Sequence, residues 1–237
     1  QKIKPLEKEP PLVIKTGGYF IEPEFIQPPE IIKEQKKVSE NLNHYNPSEI
    51  GTKVAALAEK WLASGIKTVN INGKKVAVYN DCSNFVRAIY FYITGKDLFY
   101  ESQANNSQKE NQGRISGVAL LYSYIKNYCR YSNKDPKIGD IIFFDNTYDS
   151  NSNKRFDDPL THVGIITAID YQDATITFIH ANTGNPKNIY RAYLNPKYPD
   201  INKKNGKIMN TYLKRKYAWE KDNIQLAGQL VRGYGGF

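Results

Sequence analysis

A chain of 237 residues with a formal net charge of +9 is long enough to bury its own core, and its two cysteines, Cys82 and Cys129, are too few for a disulfide framework and read as free thiols. The positive balance favours anionic partners as a class: nucleic acid, anionic lipid or an acidic wall polymer. No stretch approaches the roughly 20 consecutive apolar residues of a membrane helix. Eighteen tyrosines among many lysines come without a helix-turn-helix, zinc-finger or aromatic RNA-binding motif, which sets nucleic acid aside.

The first segment, 1–42, holds six of the twelve prolines (Pro5, Pro10, Pro11, Pro23, Pro28, Pro29), which block regular ladders and favour extended chain. It reads as an N-terminal arm or tether, with Tyr19-Phe20-Ile21 and Phe25-Ile26 as docking points, ahead of one domain over 43–237. Pro47-Ser48-Glu49 opens a helix with Ser48 as N-cap, and Ile50, Val54, Leu57, Ala58 and Trp61 recur at helical spacing until Gly65. Asn72-Gly73 between two β-branched segments predicts a tight hairpin. It delivers the chain to Asp81-Cys82-Ser83, the first turn of a second helix whose face is Phe85, Val86, Ile89, Tyr92 and Ile93, ending at Gly95. A polar linker, 101–112, leads to a helix over 118–128. Strands follow over 140–145, 162–169, 174–181 and 225–231. Helices first and an antiparallel sheet afterwards is an α+β order.

Chemistry concentrates on a few of these residues. A hairpin turn centred on Tyr171 sets His162 opposite His180, both on one sheet face, with Asn182 diagonal to His162. A thiol at a helix N-terminus meets the positive end of the helix dipole and unpaired N–H groups, which favour the thiolate. A histidine beside it serves as general base, and a third polar group, His180 or Asn182, holds that imidazole in one tautomer and tilt. Such a set makes a nucleophile for acyl transfer, with backbone N–H groups at the helix start, including that of Cys82, as part of an oxyanion hole.

These residues resemble a family. Asp81-Cys82-Ser83-Asn84-Phe85-Val86 is similar to the nucleophile motif of the NlpC-type, papain-like, CHAP-related cell-wall cysteine peptidases, with Asn84 where the family has glycine. Gly139-Asp140-Ile141-Ile142-Phe143-Phe144 is similar to their Gly-Asp strand, Thr161-His162-Val163-Gly164-Ile165 to their base motif, and Phe178-Ile179-His180-Ala181 to the segment carrying the third polar residue. The resemblance covers 76–182 and implies a papain-like α+β fold, N-terminal helices packed on an antiparallel sheet, with a Cys82, His162, His180 triad. It implies hydrolysis of amide bonds in peptidoglycan stem peptides, typically the γ-D-glutamyl to diamino acid link, without metal or organic cofactor. The setting implied is extracytoplasmic (periplasmic, envelope or secreted), with the export signal removed. Tyr79 stands in for the family's substrate-facing tyrosine, and Asp81, Ser83 and Asn182 complete the expected substrate contacts. CHAP-type amidases use related residues, so cleavage at the sugar–peptide amide, another thiol acyl transfer, and a catalytically silent wall-binding domain are the alternatives.

Other residues have plainer readings. Cys82, His162 and His180 would suit zinc by ligand type, but the clustered Cys/His spacing of zinc sites is missing. Cys129 reads as a helix residue, His44 as part of a polar stretch, and the basic run Lys203, Lys204, Lys207, Lys214, Arg215, Lys216 as a solvated face.

Overall fold

The computed structural model describes residues 47–104, 115–182 and 187–237. The expected arm, His44 and most of the polar linker lie outside the described residues. Helix α1, Pro47–Ser64, begins on a proline, whose missing N–H is one the first turn leaves unpaired anyway. Its buried stripe is Ile50, Val54, Ala58 and Trp61, as the spacing predicts. Strands β1 (Thr68–Ile71) and β2 (Lys74–Ala77) form the hairpin. Asn72 and Gly73 turn it with φ of 49° and 77°. Helix α2, Cys82–Thr94, buries Phe85, Val86 and Ile89 completely. A short α3, Leu98–Ala104, occupies the start of what the sequence suggests as linker, because Leu98 is an apolar anchor that is fully buried. Helix α4 spans Gly117–Tyr128.

The sheet is antiparallel throughout, in the order β3-β10-β4-β5-β6-β7. Its strands are β3 (Arg130–Ser132), β4 (Ile141–Phe144), β5 (His162–Asp170), β6 (Thr175–Asn182), β7 (Asn188–Leu194) and β10 (Val231–Gly236). A two-residue ladder, β8 (Lys203–Lys204) with β9 (Lys207–Ile208), stands apart. The strand expected over 225–231 is a helical turn, α5 (Ala227–Leu230), and the sheet is entered only at Val231. The molecule is α+β: helices precede the sheet and pack on it.

Both faces of the sheet are covered. Phe143, Val163, Ile165 and Ile179 bury against α1 and α2, while Phe144, Ile166, Phe178 and Leu194 bury against the C-terminal chain through Ala227 and Leu230. That accounts for β4 as an unbroken apolar run, since a strand covered twice has no polar side to alternate. The turn before it is fixed by Asp140, which accepts from Arg130 Nη2 at 2.6 Å and from the Lys137 N–H at 2.8 Å. Gly139 has φ of 86° and lies on the Gly51 backbone of α1, where a Cβ would come within 2.2 Å. The Gly139 carbonyl also accepts from the Tyr90 hydroxyl of α2 at 2.7 Å, so the turn is held by α1 and by the helix that carries the thiol.

Candidate active site

Asp81 ends the approach to α2 in extended conformation, and its Oδ1 accepts from the N–H groups of Ser83 at 2.9 Å and Asn84 at 3.0 Å and from Ser83 Oγ at 2.7 Å. It is an N-cap, and the cap sets Cys82 as the first helical residue with its sulfur at the open end of the helix. The N-terminus of α4 converges on the same place. Gly117 packs so tightly that a Cβ there would fall 2.2 Å from Ser83 Oγ. Two helix N-termini therefore face one spot, and the N–H groups of Cys82, Ser83 and Val163 stabilise negative charge on the Cys82 sulfur.

The histidines arrive from β5 and β6. The pairing that joins Asp170 to Thr175, carried on unbroken, would set His162 opposite residue 183 and turn the two imidazoles to opposite faces. A one-residue shift between Ile166 and Ala168 prevents this, so that Ile166 pairs with Phe178 and the same register places Gly164 beside His180. His162 then lies diagonal to His180, with Asn182 in the directly opposite position. This corrects the expected pairing, because the turn spans 171–174 and is followed by a bulge. The side chains still meet: His162 Nε2 and His180 Nδ1 are 2.8 Å apart. Gly164 leaves the room for this, since a Cβ on it would come within 2.8 Å of the Phe178 ring and 3.3 Å of His180 Cβ. Upstream, the Thr161 hydroxyl accepts from the Thr147 N–H at 2.9 Å, and Asp145 Oδ1 accepts from the Leu160 N–H at 2.8 Å. These bonds pin the loop that leads into His162.

A cavity of about 610 Å³ joins these pieces, and Asp81, Cys82, Ser83, His162, His180 and Asn182 all line it. Tyr79 lies off its wall, packed against the helical core with the Lys67 ammonium 5.0 Å from its ring centre. The charge state differs from the sequence expectation of a thiolate. Burial, and then the Asp81 carboxylate, push the Cys82 thiol up to about 12 against those backbone N–H groups. Burial pulls His162 down to about 4 and His180 well below the ordinary imidazole value, the His180 shift aided by His162. The resting pair is a neutral thiol and a neutral imidazole. Neutral His162 has one N–H. With Nε2 engaged by His180, its Nδ1 is the nitrogen left to take a proton from the sulfur.

Sequence motifs alone miss part of the wall. Tyr148, 50% exposed, is held protonated by burial, by Cys82 and by Asp158 and Asp81, which makes it a hydroxyl donor within electrostatic reach of the nucleophile. The far side comes from 212–217, where Lys214 is only 6% exposed, ion-paired with Glu220 and 4.6 Å from the Phe156 ring centre. At Lys214 the basic run is therefore a wall of the cavity and not a solvated face. The tyrosines at both ends of Tyr-Leu-Lys-Arg-Lys-Tyr are the one sequence signal that marks this stretch. Both cysteines are free, and among the described residues no group of three or more His, Cys, Asp or Glu is placed to hold a metal ion.

In comparison with known families, residues 71–182, from the end of β1 to the end of β6, match the family model described as the CHAP domain. No curated protein and no solved structure matches the chain.

Proposed function

We propose, from the match of residues 71–182 to the CHAP domain, a domain of the NlpC/papain-like cell-wall peptidase superfamily whose members are usually peptidoglycan hydrolases, a thiol peptidoglycan hydrolase in which Cys82 is the nucleophile, His162 the base and His180 the orienting group. The observation that carries this reading is the 2.8 Å contact between His162 Nε2 and His180 Nδ1 on the wall of the cavity that Cys82 also lines. The substrate carbonyl docks over the N-termini of α2 and α4. Cys82 gives its proton to His162 Nδ1 as sulfur attacks the carbonyl carbon, and the oxyanion is met by backbone N–H groups. His162 returns the proton to the departing amine, leaving a thioester on Cys82. Water then attacks with His162 as base, the thiol is restored and the acid product leaves. His180 fixes the tautomer throughout by accepting the His162 Nε2–H.

The reading places the protein outside the cytoplasm, where peptidoglycan is, in a papain-like arrangement. We assign the scissile bond to the γ-D-glutamyl to diamino acid amide, on the four motifs shared with NlpC-type peptidases. The CHAP match supports the sugar–peptide amide as a second reading. Mass spectrometry of purified peptidoglycan incubated with the protein, and in parallel with Cys82→Ala, separates them. New termini at the glutamyl link, absent with the variant, are expected. Release of whole stem peptides moves the protein to the amidase reading. Absence of cleavage with either protein, together with retained binding to the wall, leaves the silent wall-binding domain.

A further inference from the structure

Besides the two histidines, three side chains of charged type line the cavity: Asp81, Lys214 and Arg215. Two are already satisfied. Asp81 accepts the three hydrogen bonds of the α2 cap, and Lys214 is buried against Glu220. The two histidines are held neutral by burial. Arg215 is exposed to the cavity and makes no ion pair or hydrogen bond among the described residues, so its charge is the one the cavity leaves unanswered.

Its backbone, in contrast, is well fixed. Tyr212 bridges Leu226, and the N–H groups of Leu213 and Lys214 both donate to the Gln225 carbonyl, at 2.9 and 3.3 Å. The Lys214–Glu220 pair holds the next turn of chain. A guanidinium carried on so firm a backbone, on the wall of the cavity that Cys82 also lines, is a receptor for a planar anion. A glutamyl residue joined through its γ-carboxyl leaves its α-carboxyl outside the peptide chain, as a carboxylate or an amide, separated from the scissile carbonyl by only three carbons. Resting on the peptidase reading above, we propose that Arg215 is a specificity-determining residue that pairs with this carboxylate. The protein thereby selects stem peptides with a free α-carboxylate over those in which it is an amide. The residue lies outside the CHAP match, so the selectivity belongs to this chain's own C-terminal wall.

The test uses the full chain and two synthetic γ-glutamyl peptides, identical except that one bears the α-carboxylate and the other the α-carboxamide. The intact protein is expected to cleave the carboxylate form with a kcat/KM about 10- to 100-fold higher, the range for a charge-assisted contact. Arg215→Gln should bring the two peptides within about 3-fold, with the loss mainly in KM, and Arg215→Lys should keep part of the preference. Unaltered melting temperatures show that both variants are folded. Equal cleavage of the two peptides by the intact protein, or a preference that survives in Arg215→Gln, overturns the anchor while leaving the peptidase reading in place. Cleavage of neither peptide by a protein whose Cys82 can still be alkylated overturns both.

Discussion

The two walls of the cavity are built on different principles. One consists of regular elements: the first turn of α2, the first turn of α4, and the adjoining ends of β5 and β6, each placed by a cap or a ladder. The other, 212–217, is irregular chain held by a backbone bridge to Leu226 and by one buried ion pair. Reactive groups sit on the first wall, where a side chain can be held within the tolerances that proton transfer demands. The unsatisfied charge sits on the second. Chemistry and selectivity are thus carried by separable pieces of the chain, and mutation should separate them.

The largest expected effect is on the regular wall. Cys82→Ala and His162→Ala should each lower kcat at least about 10⁴-fold without loss of the fold, and the double variant should lose little more, because the pair acts as a unit. A near-multiplicative loss in the double variant would show that the two groups do not act on one step. On the irregular wall the large effect is on stability. Lys214→Met strands the Glu220 carboxylate in a buried setting and should destabilise by about 3 to 5 kcal/mol, whereas Lys214→Met with Glu220→Gln should recover most of that. Chemical denaturation of the three proteins is the check, and a single variant no less stable than the double would remove the ion pair as the brace.

The regular wall also makes stability depend on pH. Unfolded imidazoles take up a proton near 6.5, while folded His162 resists until about 4 and burial also holds His180 well below its ordinary value. Below 6.5 the unfolded state therefore binds more protons, and this contribution, complete above 6.5, is lost as pH falls towards 4. For His162 the loss is at most about 3 kcal/mol, reduced where water reaches its open edge. Denaturant midpoints between pH 7 and 4 should fall for the intact protein and fall less for His162→Gln. A further effect is on thiol reactivity. With Cys82 pushed up towards 12, alkylation by iodoacetamide in the free protein should rise about tenfold per pH unit between pH 7 and 10. A fast plateau already present at pH 6 would mean a standing thiolate–imidazolium pair.

How much of this could be read beforehand follows the same division. The Asn72-Gly73 hairpin, the helix opening at Cys82 and the doubly covered strand Ile141–Phe144 carry local signals, and they stand close to their expected positions. Register does not carry such a signal. The bulge beyond Ile166 and the turn at 171–174 leave no mark in composition, so His180 was expected opposite His162 and lies diagonal to it. Strand β10 lies later than its expected bounds for another reason. Gly233, Gly235 and Gly236 weaken any strand pattern, yet neighbours press closely on each; a Cβ on Gly235 would come within 2.3 Å of Ile125. The neutral thiol was equally hidden, because a helix N-terminus can be seen in sequence and the burial that outweighs it cannot. Arg215 and Tyr148 sit on chain without periodicity, and only the folded molecule brings them to the cavity that Cys82 lines.

The proposed mechanism requires a covalent acyl intermediate on Cys82. It is tested most directly by quenching the protein in acid during turnover of wall fragments and weighing its cysteine-containing peptides. An acyl fragment of the substrate is expected on the Cys82 peptide, removable by hydroxylamine, with none on the Cys129 peptide and none in Cys82→Ser. Steady turnover that leaves Cys82 unmodified and persists in Cys82→Ser would contradict it.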